Sequence, residues 1–113
     1  MIEKFRVEFL EEVADFIDKL DEKTRDKVIY NIQKARYSNN PELFKKLKDE
    51  IWEFRTLYNK SNIRLLAFWD KTEIVDIVVI TTNGFVKKTS KTPINEIDKA
   101  ERLRKLYLEK KIK

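Results

Sequence analysis

The sequence predicts a single α+β domain in which helices pack on a small antiparallel sheet, with the element order β-α-α-β-β-β-α. Amphipathic stretches of helical period occupy the first third of the chain, and β-branched and aromatic stretches separated by short polar turns occupy the middle. A long basic stretch of helical period follows them. The length of 113 residues favours one domain over residues 1–113.

The first half of the chain should form a strand, two helices and a short helical turn. Apolar residues alternate in residues 2–9, which indicates the strand. One stripe of the first helix is apolar: Val13, Phe16, Ile17 and Leu20. Asp21 can cap the second helix, whose buried stripe is Val28, Ile32 and Ala35. The "SNNP" segment ends this helix, and Pro41 should open a short turn of helix through Leu47.

The second half should form three strands and a final helix. The strand stretches are residues 50–58, 62–69 and 73–82. After "GFVKKTSK", Thr92 and Pro93 mark the start of the last helix. The positions of that helix expected in the core are Ile97, Ala100, Leu103 or Arg104, and Tyr107. These elements place two N-terminal helices and a C-terminal helix around the sheet.

The turn "NKSN" at residues 59–62 decides which side chains share a face of the sheet. An odd loop would bury Arg64 unpaired among aromatic residues, which is costly, so we expect an even loop with Tyr58 opposite Ile63. Arg55 and Arg64 then lie on the opposite face, about one diagonal apart. Two such guanidiniums repel unless an anion lies between them, or unless Glu53 neutralises one as an ordinary surface pair.

The composition excludes several kinds of chemistry. The chain has no cysteine and no histidine, which removes disulfides, thiol nucleophiles and the commonest general base and metal ligand. Asp70, Glu73 and Asp76 are close in sequence, but without a second cluster they are better interpreted as solvated turn residues than as a metal site. We therefore expect no metal and no other cofactor.

The positive charge is concentrated near the end of the chain. The net charge is +5, and residues 85–113 contain ten Lys or Arg but four Asp or Glu, which suits a polyanionic partner or a solvated helix. The third strand can bring Lys87 or Lys88 beside the two arginines. Aromatic residues near these cations would suit single-stranded RNA, since cations hold phosphates and rings stack on bases. The residues expected to bind RNA are Lys91, Phe68, Phe85, Arg102 and Lys105.

The N-terminus and the apolar runs bear on location. Acidic residues interrupt "MIEKFRVEFLEEV" where a signal peptide would be apolar, and the longest apolar run is "LLAFW" at residues 65–69. We expect a soluble cytoplasmic protein with no membrane contact.

Three segments, "IWEFR", "NIRLLAFW" and "GFVKKTSKTPINEIDKAERLRKLY", resemble the HigB-like branch of the RelE/ParE superfamily, including its phage-derived group. The resemblance covers roughly residues 1–110. It implies a RelE-like fold and a toxin of a type II toxin–antitoxin module that cuts mRNA on translating ribosomes. It also implies a cognate antitoxin, usually a helix-turn-helix DNA-binding protein.

The same resemblance implies catalytic roles for four basic residues: Arg55, Arg64, Lys87 and Lys88. They would support metal-independent attack by the ribose 2′-OH, with cations stabilising the phosphate. RelE has a C-terminal tyrosine near its active site, but Tyr107 fits better as a core residue. Two alternatives stay open: a ParE-like poison of DNA gyrase on the same fold, and a non-catalytic basic RNA-binding module.

Overall fold

The computed structural model describes residues 2–72 and 77–112. Its centre is a five-stranded mixed sheet with the strand order β1-β5-β4-β3-β2. The elements along the chain are β1 Arg6–Phe9, α1 Glu11–Asp18, α2 Glu22–Ala35, β2 Phe44–Lys48, β3 Ile51–Tyr58, β4 Ser61–Asp70, β5 Val78–Lys87 and α3 Ile94–Ile112. Helices α1 and α2 pack on one face of the sheet and α3 on the other.

The α+β class is confirmed, but the predicted element order lacks one strand. The stretch after Pro41 forms β2, antiparallel to β3, instead of the helical turn predicted through Leu47. The ring of Phe44 stacks on Trp52 at 5.0 Å and on Phe54 at 4.2 Å between centroids. Tertiary pairing of this kind overrides local propensity, so the helical turn was the wrong assignment.

The sheet is mixed rather than antiparallel because β1 pairs with β5 in parallel. The N–H of Arg6 donates to the carbonyl of Ile77 and the N–H of Leu10 donates to the carbonyl of Thr81. A parallel pair needs a crossover between its strands, and here all the other strands and both N-terminal helices lie between β1 and β5 in the chain.

The third predicted strand extends further than expected. Residues 73–76 lie outside the described residues, and β5 continues through the glycine to Lys87, past the predicted end at residue 82. A Cβ atom on Gly84 would lie 2.5 Å from the ring of Phe16 and 2.7 Å from Leu65. The glycine therefore permits close packing of α1 on the sheet and does not end the strand.

Both long helices begin where the sequence predicts. The carboxylate of Asp21 accepts hydrogen bonds from the backbone N–H of Thr24 at 3.1 Å and from its hydroxyl at 2.6 Å, which caps α2. Helix α3 begins immediately after Pro93. The predicted stripe of α2 is buried, as is Ala100 of α3. Within the described residues, no helix is both long enough and apolar enough to span a lipid bilayer.

The β3–β4 hairpin confirms the predicted division of faces and corrects the register. Its loop has two residues, Asn59 and Lys60, with φ values of 50° and 67°, the positive values that a type I′ turn requires. Tyr58 therefore lies opposite Ser61, not opposite Ile63 as predicted. The loop is still even, so Trp52 and Phe54 of β3 share one face with Ile63, Leu65 and Ala67 of β4.

The opposite face of the sheet is covered as well. Helix α3 covers it with two apolar clusters, one around Leu66 and Phe85 and one around Phe68 and Ile80. The strand arginines lie on this face near the β3–β4 loop, where the side chain of Arg55 is 29% exposed and that of Arg64 is 7% exposed.

Candidate active site

A cleft lies where β2, β3, the end of β5 and the start of α3 meet. It has a volume of about 360 Å³. Its lining, which we call the cationic cleft, consists of Lys45, Leu47, Lys48, Glu53, Arg55, Lys87, Ser90, Lys91, Thr92 and Ile97. Five of these side chains are cationic and one is a carboxylate. Such an excess of positive charge in a concave site suits an anionic ligand.

Glu53 lies at the base of the cleft and is 1% exposed. Its Oε1 atom lies 3.6 Å from Nε of Arg55 and 3.6 Å from Nε of Arg64. The hydroxyl of Thr92 donates to its Oε2 atom at 2.8 Å. The alternative in which Glu53 forms an ordinary surface pair with one arginine is therefore wrong. Because the backbone places Arg55 directly opposite Arg64 rather than on a diagonal, one buried carboxylate serves both guanidiniums.

The two arginines are short of hydrogen-bond acceptors. A separation of 3.6 Å is too long for a hydrogen bond, and both buried Nε–H groups have no hydrogen-bond partner among the described residues. The Arg64 side chain is 7% exposed and that of Arg55 is 29% exposed. Burial lowers the pKa of Arg64. The negative charge of Glu53 opposes this shift, and the positive charge of Arg55 adds to it. Arginine nevertheless stays protonated in proteins, so the site keeps its positive charge.

The lysines of the cleft are partly those that the sequence predicts. Lys87 and Lys91 line it, whereas Lys88 is exposed and lies outside the lining. Lys45 and Lys48 line it as well and were missed. The sequence assigns them to a helical turn, although the three lysines of "FKKLK" also fit an edge strand, where charged side chains and lysine in particular are common.

Neither predicted stacking phenylalanine is available to RNA. Phe68 is fully buried and Phe85 is 9% exposed, each in a cluster covered by α3. Base stacking requires an accessible ring face. These two residues belong to the core rather than to an accessible surface.

The basic residues predicted on the last helix lie elsewhere. Arg102 and Lys105 line a separate shallow cavity whose other polar residues are acidic: Asp98, Glu101 and Glu109. The positive charge of α3 is therefore interspersed with carboxylates along this surface, and neither residue contributes to the cationic cleft.

Tyr107 is part of the core, as expected, and lies outside the cleft. Its ring packs edge-on against Phe68 and its hydroxyl donates to Oδ2 of Asp70 at 2.7 Å. Asp70 and Arg64 are six residues apart on β4, which corresponds to about 20 Å along a strand. The tyrosine cannot reach a ligand held by the arginines.

Asp70 is not the solvated turn residue that was expected, since it is 3% exposed. Its Oδ1 accepts from the N–H and hydroxyl of Thr72 at 2.9 and 2.6 Å, and Lys111 Nζ donates to Oδ2 at 2.6 Å. We call Asp70, Thr72, Tyr107 and Lys111 the Asp70 anchor. Burial alone would raise the pKa of Asp70, but these hydrogen bonds together hold it well below its ordinary 3.8. The anchor fixes the end of α3 to the sheet.

The described part of the chain contains no group of three or more acidic, histidine or cysteine side chains that could hold a metal ion. Glu73 and Asp76, the neighbours of Asp70 in the sequence, lie outside the described residues.

The comparisons with known proteins place the chain in a family. The model of the family described as "Phage derived protein Gp49-like (DUF891)" matches residues 15–105. A search of curated proteins finds no match. The family is associated with toxin–antitoxin toxins of the RNase type that have a RelE-like fold and a cognate antitoxin, and the architecture is compatible with that fold. The matched range contains every residue that lines the cationic cleft. The chain therefore belongs to the Gp49-like family of phage-derived proteins.

Proposed function

We propose that this protein is the toxin of a type II toxin–antitoxin system and that it inhibits translation by cutting mRNA on ribosomes, as a HigB-like endoribonuclease. The cationic cleft is the observation that carries the proposal. It combines five cationic side chains with one carboxylate, and the Nε–H of Arg55 in its lining has no acceptor among the described residues. A phosphate group in the cleft would supply acceptors for the Arg55 guanidinium and balance the charge.

The reaction needs no metal. The ribose 2′-OH attacks the adjacent phosphorus and gives its proton to a water molecule, the bond from phosphorus to the 5′ oxygen breaks, and that oxygen takes a proton from an ammonium group of the cleft, which water then reprotonates. The products are a 2′,3′-cyclic phosphate and a 5′-OH. Arg55, which lines the cleft, is placed to bind the phosphate oxygens as negative charge develops on them. The ammonium groups of Lys87 and Lys91 can protonate the leaving oxygen.

Arg64 has a different role from Arg55 in this mechanism. Its side chain is nearly fully buried and is not part of the lining. It acts with Glu53 as a positioning residue, because the carboxylate holds both guanidiniums while Thr92 fixes the carboxylate. A preformed arrangement of this kind lowers the cost of reorganisation during reaction.

The absence of histidine gives a reason for dependence on the ribosome. A site without an imidazole has no group that titrates near neutral pH unless its environment shifts one. Holding the mRNA in a fixed codon geometry can supply orientation that the protein alone does not. The cleft also suits inhibition by an acidic segment of a helix-turn-helix antitoxin, since a cationic site is complementary to an anionic inhibitor. A protein that acts on ribosomes and is inhibited by a DNA-binding antitoxin would work in the cytoplasm.

The test is in-vitro translation of an end-labelled mRNA with the purified protein and three variants. Arg55→Ala and the double variant Lys87→Ala/Lys91→Ala remove cations from the cleft. Lys23→Ala is the matched control, because it removes one exposed cation from α2, on the other face of the sheet. We expect codon-spaced cuts that require ribosomes, disappear in the cleft variants and persist in the control.

Two other outcomes would overturn the proposal. Intact mRNA with inhibited DNA supercoiling would indicate a ParE-like gyrase poison. Intact mRNA that nevertheless binds the protein, with binding unchanged in Arg55→Lys, would indicate a non-catalytic RNA-binding module, because a charge-preserving change spares binding but not a geometry-dependent reaction.

A further inference from the structure

A second cavity lies on the other face of the sheet, beside the edge strand β2. It has a volume of about 420 Å³. We call its lining the aromatic pocket: Lys4, Phe5, Ser38, Asn39, Asn40, Pro41, Phe44, Lys45, Lys46, Trp52 and Trp69. Nothing in the proposed cleavage reaction uses this pocket.

The walls of the aromatic pocket are formed by aromatic side chains that are only partly buried. Phe44, Trp52 and Trp69 are half-buried. Trp52 stacks on Phe44 and meets Trp69 edge-on, with centroids 5.0 and 5.5 Å apart. Rigid aromatic walls of this kind bind flat apolar groups at a low cost in conformational entropy.

Trp69, which lines the pocket, also carries a buried hydrogen-bond donor. Its indole N–H has no hydrogen-bond partner within the described structure. Such a donor is costly to leave unpaired, so a ligand whose acceptor reaches the indole edge as the ring shifts gains from pairing with it. The amides of Asn39 and Asn40 add further donors and acceptors to the lining. An unstacked nucleobase matches both requirements, since it has a flat face and acceptors on its edge.

The charge around the pocket is positive. Three lysines line it, and none of its described lining residues is acidic. Lys45 also lines the cationic cleft, so the two cavities share a side chain. In the β2–β3 register Lys45 lies opposite Glu53 and Lys46 lies opposite Trp52. Lys45 therefore lies on the face of the sheet that holds the cleft, and Lys46 lies on the face that holds the aromatic pocket.

We propose that the aromatic pocket binds one base of a single-stranded RNA whose backbone crosses the edge of the sheet at Lys45 and Lys46 into the cationic cleft. The inference rests on the proposed function, because it takes RNA to be the ligand of the cationic cleft. The occupant is RNA because flat aromatic walls, a donor in need of an acceptor and a continuous line of cations coincide. The pocket would give cleavage its base preference.

The two tryptophans of the chain both line this pocket. Intrinsic tryptophan fluorescence therefore reports on it directly. We would titrate the protein with four 2′-O-methyl pentanucleotides, each of a single base, which lack the nucleophile and are not cut. We expect quenching that depends on the base, and no quenching by an abasic ribose-phosphate oligomer at the same concentration.

Two variants make the result specific. Trp69→Phe keeps a ring and removes the N–H, and we expect about five- to twentyfold weaker binding and a flatter base preference. Lys46→Ala changes an exposed side chain at the rim and should weaken all four oligonucleotides alike. A circular-dichroism melt identifies a variant that fails to fold, and Lys46→Ala then remains as the second test.

The outcomes separate this proposal from the proposed function. Ribosome-dependent cutting without quenching, with the same base preference in Trp69→Phe, overturns the base pocket and leaves the nuclease intact. Quenching without any cutting supports a nucleotide site and removes the nuclease. Quenching by a polyglutamate peptide, but not by the oligonucleotides, overturns the RNA assignment in favour of an acidic protein partner.

Discussion

Two buried carboxylates on the same face of the sheet show how differently one kind of group can be used. Asp70, at the end of β4, accepts four hydrogen bonds of 2.6 to 2.9 Å from the other members of the Asp70 anchor. Glu53, on the neighbouring strand β3, accepts one hydrogen bond, from Thr92, and has two guanidinium nitrogens at 3.6 Å.

The difference separates a structural cluster from a site that can accept a ligand. In the Asp70 anchor every described contact is short and the carboxylate faces one ammonium group, so no further anion is needed. In the cationic cleft one carboxylate faces five lining cations and a buried arginine whose Nε–H lacks an acceptor among the described residues. An incompletely satisfied polar network costs stability and is retained where function uses it.

The largest expected effect is on activity in the cleft. Arg55→Ala removes a cation that the proposed mechanism assigns to the phosphate, and we expect cleavage to fall by about 10²- to 10³-fold. Stability should change little, because the side chain is partly exposed and no short hydrogen bond is lost. Single-turnover cleavage and a thermal melt measure the two quantities. A variant that cuts normally would show that the cleft is not the active site.

In the Asp70 anchor we expect the opposite result, a loss of stability without a loss of activity. Asp70→Asn should lower the free energy of unfolding by about 2 to 4 kcal/mol, because the hydrogen bonds that the buried carboxylate accepts from Thr72, Tyr107 and Lys111 lose their charge assistance. Cleavage per folded molecule should be unchanged, since the anchor is about 20 Å from Arg64 along β4. Urea unfolding followed by circular dichroism measures the loss.

The stability difference between the wild type and Asp70→Asn should become smaller at acidic pH. The folded-state pKa of Asp70 lies below its ordinary 3.8. Its contribution to stability is therefore complete above that value and is lost as the pH falls through the folded-state pKa. The difference between wild type and Asp70→Asn should be constant from pH 5 to 7 and shrink below about pH 4. A difference that grows on acidification would contradict the assignment.

Glu53→Gln tests whether the cleft is short of negative charge. The change leaves two facing guanidiniums without a counter-charge, and we expect it to destabilise the fold by about 1 to 3 kcal/mol at low salt. Inorganic phosphate should then raise the melting temperature of the variant more than that of the wild type, because the anion replaces the lost carboxylate. Equal responses to phosphate would argue against an anion site in the cleft.

The smallest expected effect concerns the tyrosine near the end of α3. Tyr107→Phe removes one hydrogen bond to Asp70 and keeps the ring on Phe68, so we expect a loss of about 1 kcal/mol and unchanged cleavage. The same unfolding and cleavage assays apply. A large fall in cleavage would place Tyr107 in the reaction and remove the distinction between the two regions.

Much of the fold could be predicted because, in several segments, the hydrophobic periodicity and the turn or capping residues indicate the same element. The capping by Asp21, the stripe of α2, the start of α3 after Pro93 and the even β3–β4 loop follow from short-range periodicity and turn chemistry. The strand β2 could not be predicted in this way. It forms because Phe44 packs on aromatic residues that lie eight and ten residues further along the chain.

The site was predicted in part for the same reason. Arg55 and Arg64 share a face because residues alternate along the strands and the loop between them is even, and Lys87 follows from the direction of β5. The roles expected for Phe68 and Phe85 depended on an open sheet face, which α3 closes. Lys45 entered the site only through the pairing of β2 with β3.

By itself, the sequence determined the α+β class, the faces of the hairpin, the helix starts and the exclusion of histidine and cysteine chemistry. These depend on composition and on contacts between near neighbours, which a pattern encodes directly. Only the tertiary structure decided that Glu53 is buried between two arginines, that α3 covers the second face and that the edge strand brings lysines to both cavities. Burial and cross-strand register depend on which distant segments meet, and no local pattern fixes that.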